Sequence, residues 1–191
     1  MQHWRLIFFV LGALRGIMAA VVRVPRLVAF DLDGTVWSPD MYQLWGGGSP
    51  FAVVNDAELR DRAGQKVWLL GSIQSILHEL QTGDKWRDTK VAWVSCTDEP
   101  TWAAECLQLF KTTGGEIIGS VVHSEQIFKS NKKTHFSRLK KEFPDIEFSD
   151  MLFFDNESGN IRDVASLGVK CVYCPDGMTA KMWEKGLSLF K

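Results

Sequence analysis

The chain has 191 residues, 46% hydrophobic and 24% charged, a balance that supports one globular domain with a substantial core. Its net charge of −1 provides no basic field for a polyanionic backbone and argues against a nucleic-acid partner. Four cysteines (Cys96, Cys106, Cys171 and Cys174) are too few to staple a domain of this size. They are expected to be reduced thiols of a cytoplasmic or organellar protein.

Residues 1–24 read as an N-terminal extension, acid-free and carrying Arg5, Arg15 and Arg23. The apolar run from Leu6 to Val22 is short for a bilayer and is broken by Arg15, so no stable membrane span is expected. Three readings stand for it: a signal-like segment, a transit peptide for a mitochondrion or plastid, or sequence upstream of a start at Met18. The folded domain is expected over 25–191.

"RLVAF" is a continuous β-branched and aromatic run ending at Asp31, as in a strand buried on both faces. Residues 37–67 are irregular, with Pro39, Gly46, Gly47, Gly48 and Pro50, and Ala63-Gly64 predicts the turn of a short β-hairpin flap. In "SIQSILHEL", Ile73, Ile76, Leu77 and Leu80 fall on one helical face. "KVAWVSC" is the second buried strand, and Pro100 opens the helix "EPTWAAECLQLF". "EIIGSVV" predicts the third strand, "NKKTHFSRLKKEF" an amphipathic helix and "DMLFFD" the fourth strand. "SGNIRDVASLG" is a helix closed by Gly168, "VKCVYC" the fifth strand, and "GMTAKMWEKGLSLF" a last helix. The alternation predicts an α/β fold: a single doubly wound, mostly parallel, five-stranded Rossmann-like sheet with a flap and no cap domain.

Ligands of such a sheet bind outside the carboxyl ends of its strands. Those ends carry Asp31, Asp33 and Thr35; then Ser95 and Thr97; then Lys132 and Lys133 at a helix start; then Asp155, Asn156 and Glu157. Adjacent carboxylates at a buried strand end repel one another, and a hard cation would offset that repulsion. Mg²⁺ keeps several waters, so one or two carboxylates and a phosphate oxygen suffice for it. Asp31, Asp33 (through its carbonyl), Asp155 and Asn156 are the candidate metal ligands. Asp31 could attack phosphorus, with Asp33 as the acid and base two residues on. Ser95 and Lys132 would hold the phosphoryl oxygens. Trp37, Tyr42, Trp45 and Phe51 either stack on a substrate ring or pin the flap to the body.

"FDLDGTV" resembles the first motif of the haloacid dehalogenase superfamily, whose members form an aspartyl-phosphate at the first aspartate. Ser95 after "VAWV", Lys132 and "FFDNESGNI" are similar to the motifs that follow. "FDLDGTVW", "LRDRAGQKV", "KKTHFSRL", "FSDMLFFDNESGNIRDVASLGVKCVY" and "DGMT" together resemble the magnesium-dependent phosphatase family, a cap-less branch, over about residues 26–190. The resemblance implies Mg²⁺ and a phosphomonoesterase acting on a phosphorylated small molecule, such as a sugar phosphate, or on a phosphotyrosine protein. It places Ser95, Cys96 and Lys132 at the substrate phosphate. Three positions depart from the family: Gly34 stands for a tyrosine, Cys96 for a basic residue, and Asn156 for the second aspartate of the fourth motif. Two alternatives share the scaffold: a phosphotransferase that loads a glyceryl group onto a carrier protein, and a non-catalytic phosphate-binding module. A monomer is expected.

Overall fold

A computed structural model describes residues 23–191, so the expectations for residues 1–22 lie outside the described residues. Strand β1 (Leu27–Phe30) opens the fold. It is followed by β2 (Trp37–Ser38), β3 (Ala52–Asn55), β4 (Glu58–Arg60) and β5 (Lys66–Leu69). Helix α1 (Ile73–Thr82), β6 (Lys90–Ser95), α2 (Pro100–Leu109), β7 (Ser124–Ile127) and α3 (Lys132–Glu142) come next. The chain ends with β8 (Met151–Asp155), α4 (Ser158–Ala165), β9 (Lys170–Tyr173) and α5 (Ala180–Ser188).

The main sheet has five parallel strands in the order β7-β6-β1-β8-β9. Phe30 of β1 lies opposite Trp93 of β6 and Phe154 of β8. All four side chains of β1 are fully buried, because the two faces are both covered. Val28 and Phe30 face one core, shared with Ile76 and Leu77 of α1, Leu107 of α2 and Trp183 of α5. Leu27 and Ala29 face the other, shared with Phe136 and Leu139 of α3 and Val164 of α4. Each large apolar side chain removed from water in this way contributes about 1.5–3 kcal/mol. The chain leaves β1 toward β6 and returns on the opposite side to β8, so the strand order reverses beside β1, and a crevice opens there at the carboxyl ends.

Two expectations need correction. The third strand is not "EIIGSVV": Ile118–Val121 form a 3-10 turn, and the strand is Ser124–Ile127. Ile118 and Val121, one 3-10 turn apart, drop together into the core of α1 and α2. The strand proper is an edge with polar inward positions, where Glu142 of α3 accepts from Ser124 Oγ at 2.7 Å and Gln126 Nε2 at 3.3 Å. The flap is also larger than a hairpin. It is a four-stranded antiparallel sheet in the order β2-β5-β4-β3, closed where Leu69 pairs with Trp37. The turn at Ala63-Gly64 is present, with Gly64 at φ 81°. The buried Asp61 carboxylate braces it by accepting from the N–H groups of Ala63 and Gln65 at 2.9 and 2.7 Å.

Cys174 is buried in one core and Cys171 packs half-buried against the other, and burial raises the pKa of both thiols to about 12. Among the described residues no helix is long and apolar enough to cross a membrane.

Candidate active site

The site is built from the chain's exit from β1. Asp31 N–H still donates to Phe154 O at 2.9 Å, so the first aspartate continues the parallel ladder beside β8. The chain then curls back: the Leu32 carbonyl accepts from the N–H groups of Thr35, Val36 and Trp37. Gly34 makes this curl at φ 72°, and a Cβ there would stand 2.2 Å from Asn156 Nδ2. The Asn156 amide therefore fills the space that the side chain of a tyrosine would enter at this position.

Lys132 is the first residue of α3, a helix started by the Asn131 side chain accepting from Thr134 N–H at 2.9 Å. Its side chain is 1% exposed, whereas Lys133 faces solvent. The ammonium donates to Asp31 Oδ1 and Val94 O and lies 3.4 Å from Asp155 Oδ2. Burial alone would lower its pKa, but Asp31 and then Asp155 more than offset that, so Lys132 is held charged.

Asp33 Oδ1 accepts from the Trp37 indole N–H at 2.7 Å and from Met41 N–H at 3.3 Å. Burial raises its pKa to about 7, against the Trp37 hydrogen bond and with the help of Asp31 and Asp40. At the end of β6, Ser95 Oγ accepts from Thr97 N–H and Thr97 Oγ1 from Glu99 N–H, both at 3.2 Å, which shapes the loop into α2. Cys96 is half-buried, and burial keeps it a thiol despite the nearby Lys132.

Asp31, Asp33, Ser95, Cys96, Lys132 and Asn156 line one cleft of about 230 Å³. Asp155 does not reach its wall. It is fully buried behind Lys132, with Oδ1 accepting from Glu157 N–H at 2.7 Å and both oxygens bound by Asn160 Nδ2. That burial and the neighbouring Asp31 push its carboxyl upward. Asp40, Tyr42, Asp98, Glu157 and Asn160 also border the cleft. Of these, Tyr42 and Glu157 drew notice in the sequence. Asn160, the third residue of α4, lies inside the stretch "FFDNESGNI" but was not singled out there. Among the flap aromatics, Trp37 and Phe51 are buried and pin the flap, while Tyr42 and Trp45 are 57% and 83% exposed.

Among the described residues no three His, Cys, Asp or Glu side chains form a metal cage. Oxygen donors are nevertheless poised on the cleft. The single Thr35 hydroxyl hydrogen is shared between Asp31 Oδ2 and Asn156 Oδ1, each at 3.3 Å. One hydrogen cannot satisfy both, so carboxylate and amide lone pairs stay free side by side. A hard cation that keeps some of its waters suits that donor set.

Residues 23–191 match the profile of the acid phosphatase family. The chain is 36% identical to human magnesium-dependent phosphatase 1 over 173 residues, 89% of each protein. It is 29% identical to a HAD-like hydrolase superfamily protein of Schizosaccharomyces pombe over 163 residues, covering 80% of this chain and 87% of the relative. The fold superposes on the phosphatase domain, complexed with Mg, in the N-terminal part of BF1531 from Bacteroides fragilis, with a TM-score of 0.60 and 15% identity. That match covers 88% of this chain and 41% of the longer one. CbbY from Rhodobacter sphaeroides, in complex with phosphate, superposes with a TM-score of 0.53 and 13% identity over 82% of this chain and 89% of its own. With its motifs at the carboxyl edge of this sheet, the chain belongs to the acid phosphatase family and has the haloacid dehalogenase fold.

Proposed function

We propose that this protein is a Mg²⁺-dependent phosphomonoesterase that works through a phosphate ester of the Asp31 carboxyl, on sugar-phosphate or phosphotyrosine-type substrates. The observation that carries this reading is the pairing of Asp31 with a buried Lys132 on the same cleft as Asp33. Asp31, Asn156 and the Asp33 carbonyl would hold Mg²⁺, which supplies positive charge to the phosphoryl oxygens and offsets the crowding of acids.

The protein's own groups then divide the work. Lys132 and Ser95 hold the phosphoryl group through its non-bridging oxygens, and the lysine's fixed charge stabilises the negative charge there without reorganisation. An Asp31 oxygen forms a bond to phosphorus as the ester P–O bond breaks. Asp33 gives its proton to the leaving oxygen, and its elevated pKa, about 7, keeps a protonated fraction available near neutrality. Asp33, now a carboxylate, takes a proton from water. That water attacks phosphorus, the Asp31–phosphorus bond breaks, and inorganic phosphate and the free carboxylate are regenerated. The ring of Tyr42, half-exposed at the cleft, offers a face for an aryl or sugar leaving group.

The test is hydrolysis of para-nitrophenyl phosphate with Mg²⁺ and with EDTA. Turnover that requires Mg²⁺ is expected. Turnover undiminished by EDTA overturns the metal assignment, and activity only in the presence of a carrier protein favours the phosphotransferase.

A further inference from the structure

Asp33 is held by more than its own backbone. Trp37 is fully buried, paired with Leu69 in the flap sheet and stacked on Phe110 with centroids 6.2 Å apart. The core thus fixes the direction of the indole N–H, which points at Asp33 Oδ1 from 2.7 Å. Met41 N–H, at the start of the 3-10 turn Met41–Gln43, approaches the same oxygen at 3.3 Å. Both donors fall on one carboxyl oxygen. A proton on that oxygen would face two N–H groups, so the mobile proton belongs on Oδ2, the oxygen free to serve the cleft that Asp33 lines.

We propose that Trp37 is a positioning residue that locks the Asp33 carboxyl so that Oδ2 meets the leaving oxygen. On this view Trp37 sets how well the enzyme cleaves esters of poorly acidic alcohols. The inference rests on the phosphomonoesterase reading above. It joins the flap to the chemistry, because the strand that closes the flap sheet also carries the indole. The proton balance is that of the first step: the P–O bond breaks, and the leaving oxygen takes the proton from Oδ2. Nitrophenolate leaves without that help, whereas an alkoxide does not.

The experiment compares kcat/KM for para-nitrophenyl phosphate and for an alkyl monophosphate, glycerol phosphate, in the wild type and in Trp37→Phe, both with Mg²⁺. The ratio of alkyl to aryl rates is expected to fall about tenfold or more in Trp37→Phe. Because both rates come from one sample, partial unfolding cancels in the ratio. Phe110→Leu, which loosens the stacking but keeps the N–H, is expected to leave the ratio within about twofold. Met41→Pro removes the second donor at a position whose preceding residue is already extended, and should shift the ratio in the same direction by less. A Trp37→Phe variant that slows both substrates equally overturns the inference and leaves the phosphatase reading intact. Should Trp37→Phe be insoluble, an unchanged ratio in Met41→Pro overturns it instead. A wild type that cleaves neither ester, or an Asp31→Asn variant that keeps both rates, overturns both.

Discussion

Lys132 places one buried ammonium among three acceptors, Asp31, Asp155 and the Val94 carbonyl. Removing one partner of a buried ion pair leaves the others desolvated and uncompensated, at a cost of roughly 3–5 kcal/mol. Lys132→Met is therefore expected to lower kcat by about 10²-fold or more and also to lower the melting temperature. Lys133→Met, on the solvent side of the same helix start, should change neither. Paired activity assays and thermal melts check both, and an unfolding temperature unmoved by Lys132→Met would contradict the burial argument. Asp31 and Asp33 were legible because they end an apolar strand two residues apart; the helix start offered Lys132 and Lys133 alike, and the family resemblance picked out Lys132. Asp40 and Asn160 were not legible, since their place on the cleft depends on how the flap and α4 turn their side chains. The depth of Asp155 was equally hidden: adjacent residues of a strand end face opposite ways, and only Asn156 faces the cleft.

Helix α3 also carries His135, fully buried with its Nε2–H donating to Phe128 O at 2.9 Å. Its other nitrogen, Nδ1, is buried with no partner. Burial lowers the ring's pKa below the ordinary 6.5, and Lys132 and Arg138 add to that effect. The folded state thus keeps the ring neutral where the unfolded chain has begun to take a proton. Stability present above pH 6.5 is lost as the pH falls through that value, because the unfolded chain binds more protons. His135→Gln keeps a donor for the Phe128 carbonyl and removes the titration. Its melting temperature is expected to fall less than the wild type's between about pH 7.5 and about pH 5.5, and an equal fall would refute the assignment. At this scale most helices and four of the main-sheet strands follow from apolar periodicity. β7 does not, because an edge strand bound to α3 through Ser124 and Gln126 has polar inward positions. The apolar signal belongs to the 3-10 turn that precedes it.

Over residues 23–191 two cores flank one parallel sheet, and the last helix closes one of them. Trp183 of α5 packs on Phe30, Phe154 and Trp86 with ring centroids 6.5, 5.8 and 5.4 Å away. Three residues on, Gly186 lets the helix touch the sheet: a Cβ there would stand 2.6 Å from Phe154 Cζ. Two effects oppose in Gly186→Ala. Helix propensity gains about 1 kcal/mol, and overpacking a full core costs typically 1–3 kcal/mol. The overlap with a buried ring should win, so denaturant unfolding is expected to show a net loss of stability, and a gain would mean that α5 moves freely. The doubly wound order was legible in the alternation of strands and helices. The four-stranded flap sheet was not, since its closing pair, Trp37 with Leu69, spans the whole flap.

That architecture makes sense as one device for bringing Asp31, Asp33 and Lys132 to a single cleft. The most direct test is reduction by borohydride of protein quenched during turnover of para-nitrophenyl phosphate with Mg²⁺, followed by peptide mass spectrometry. The expected product is homoserine at position 31, formed by reduction of an aspartyl-phosphate and absent with EDTA. Unmodified Asp31 in protein trapped while hydrolysing the ester, or label on a different carboxylate, would contradict the assignment of Asp31 as the residue that takes the phosphoryl group.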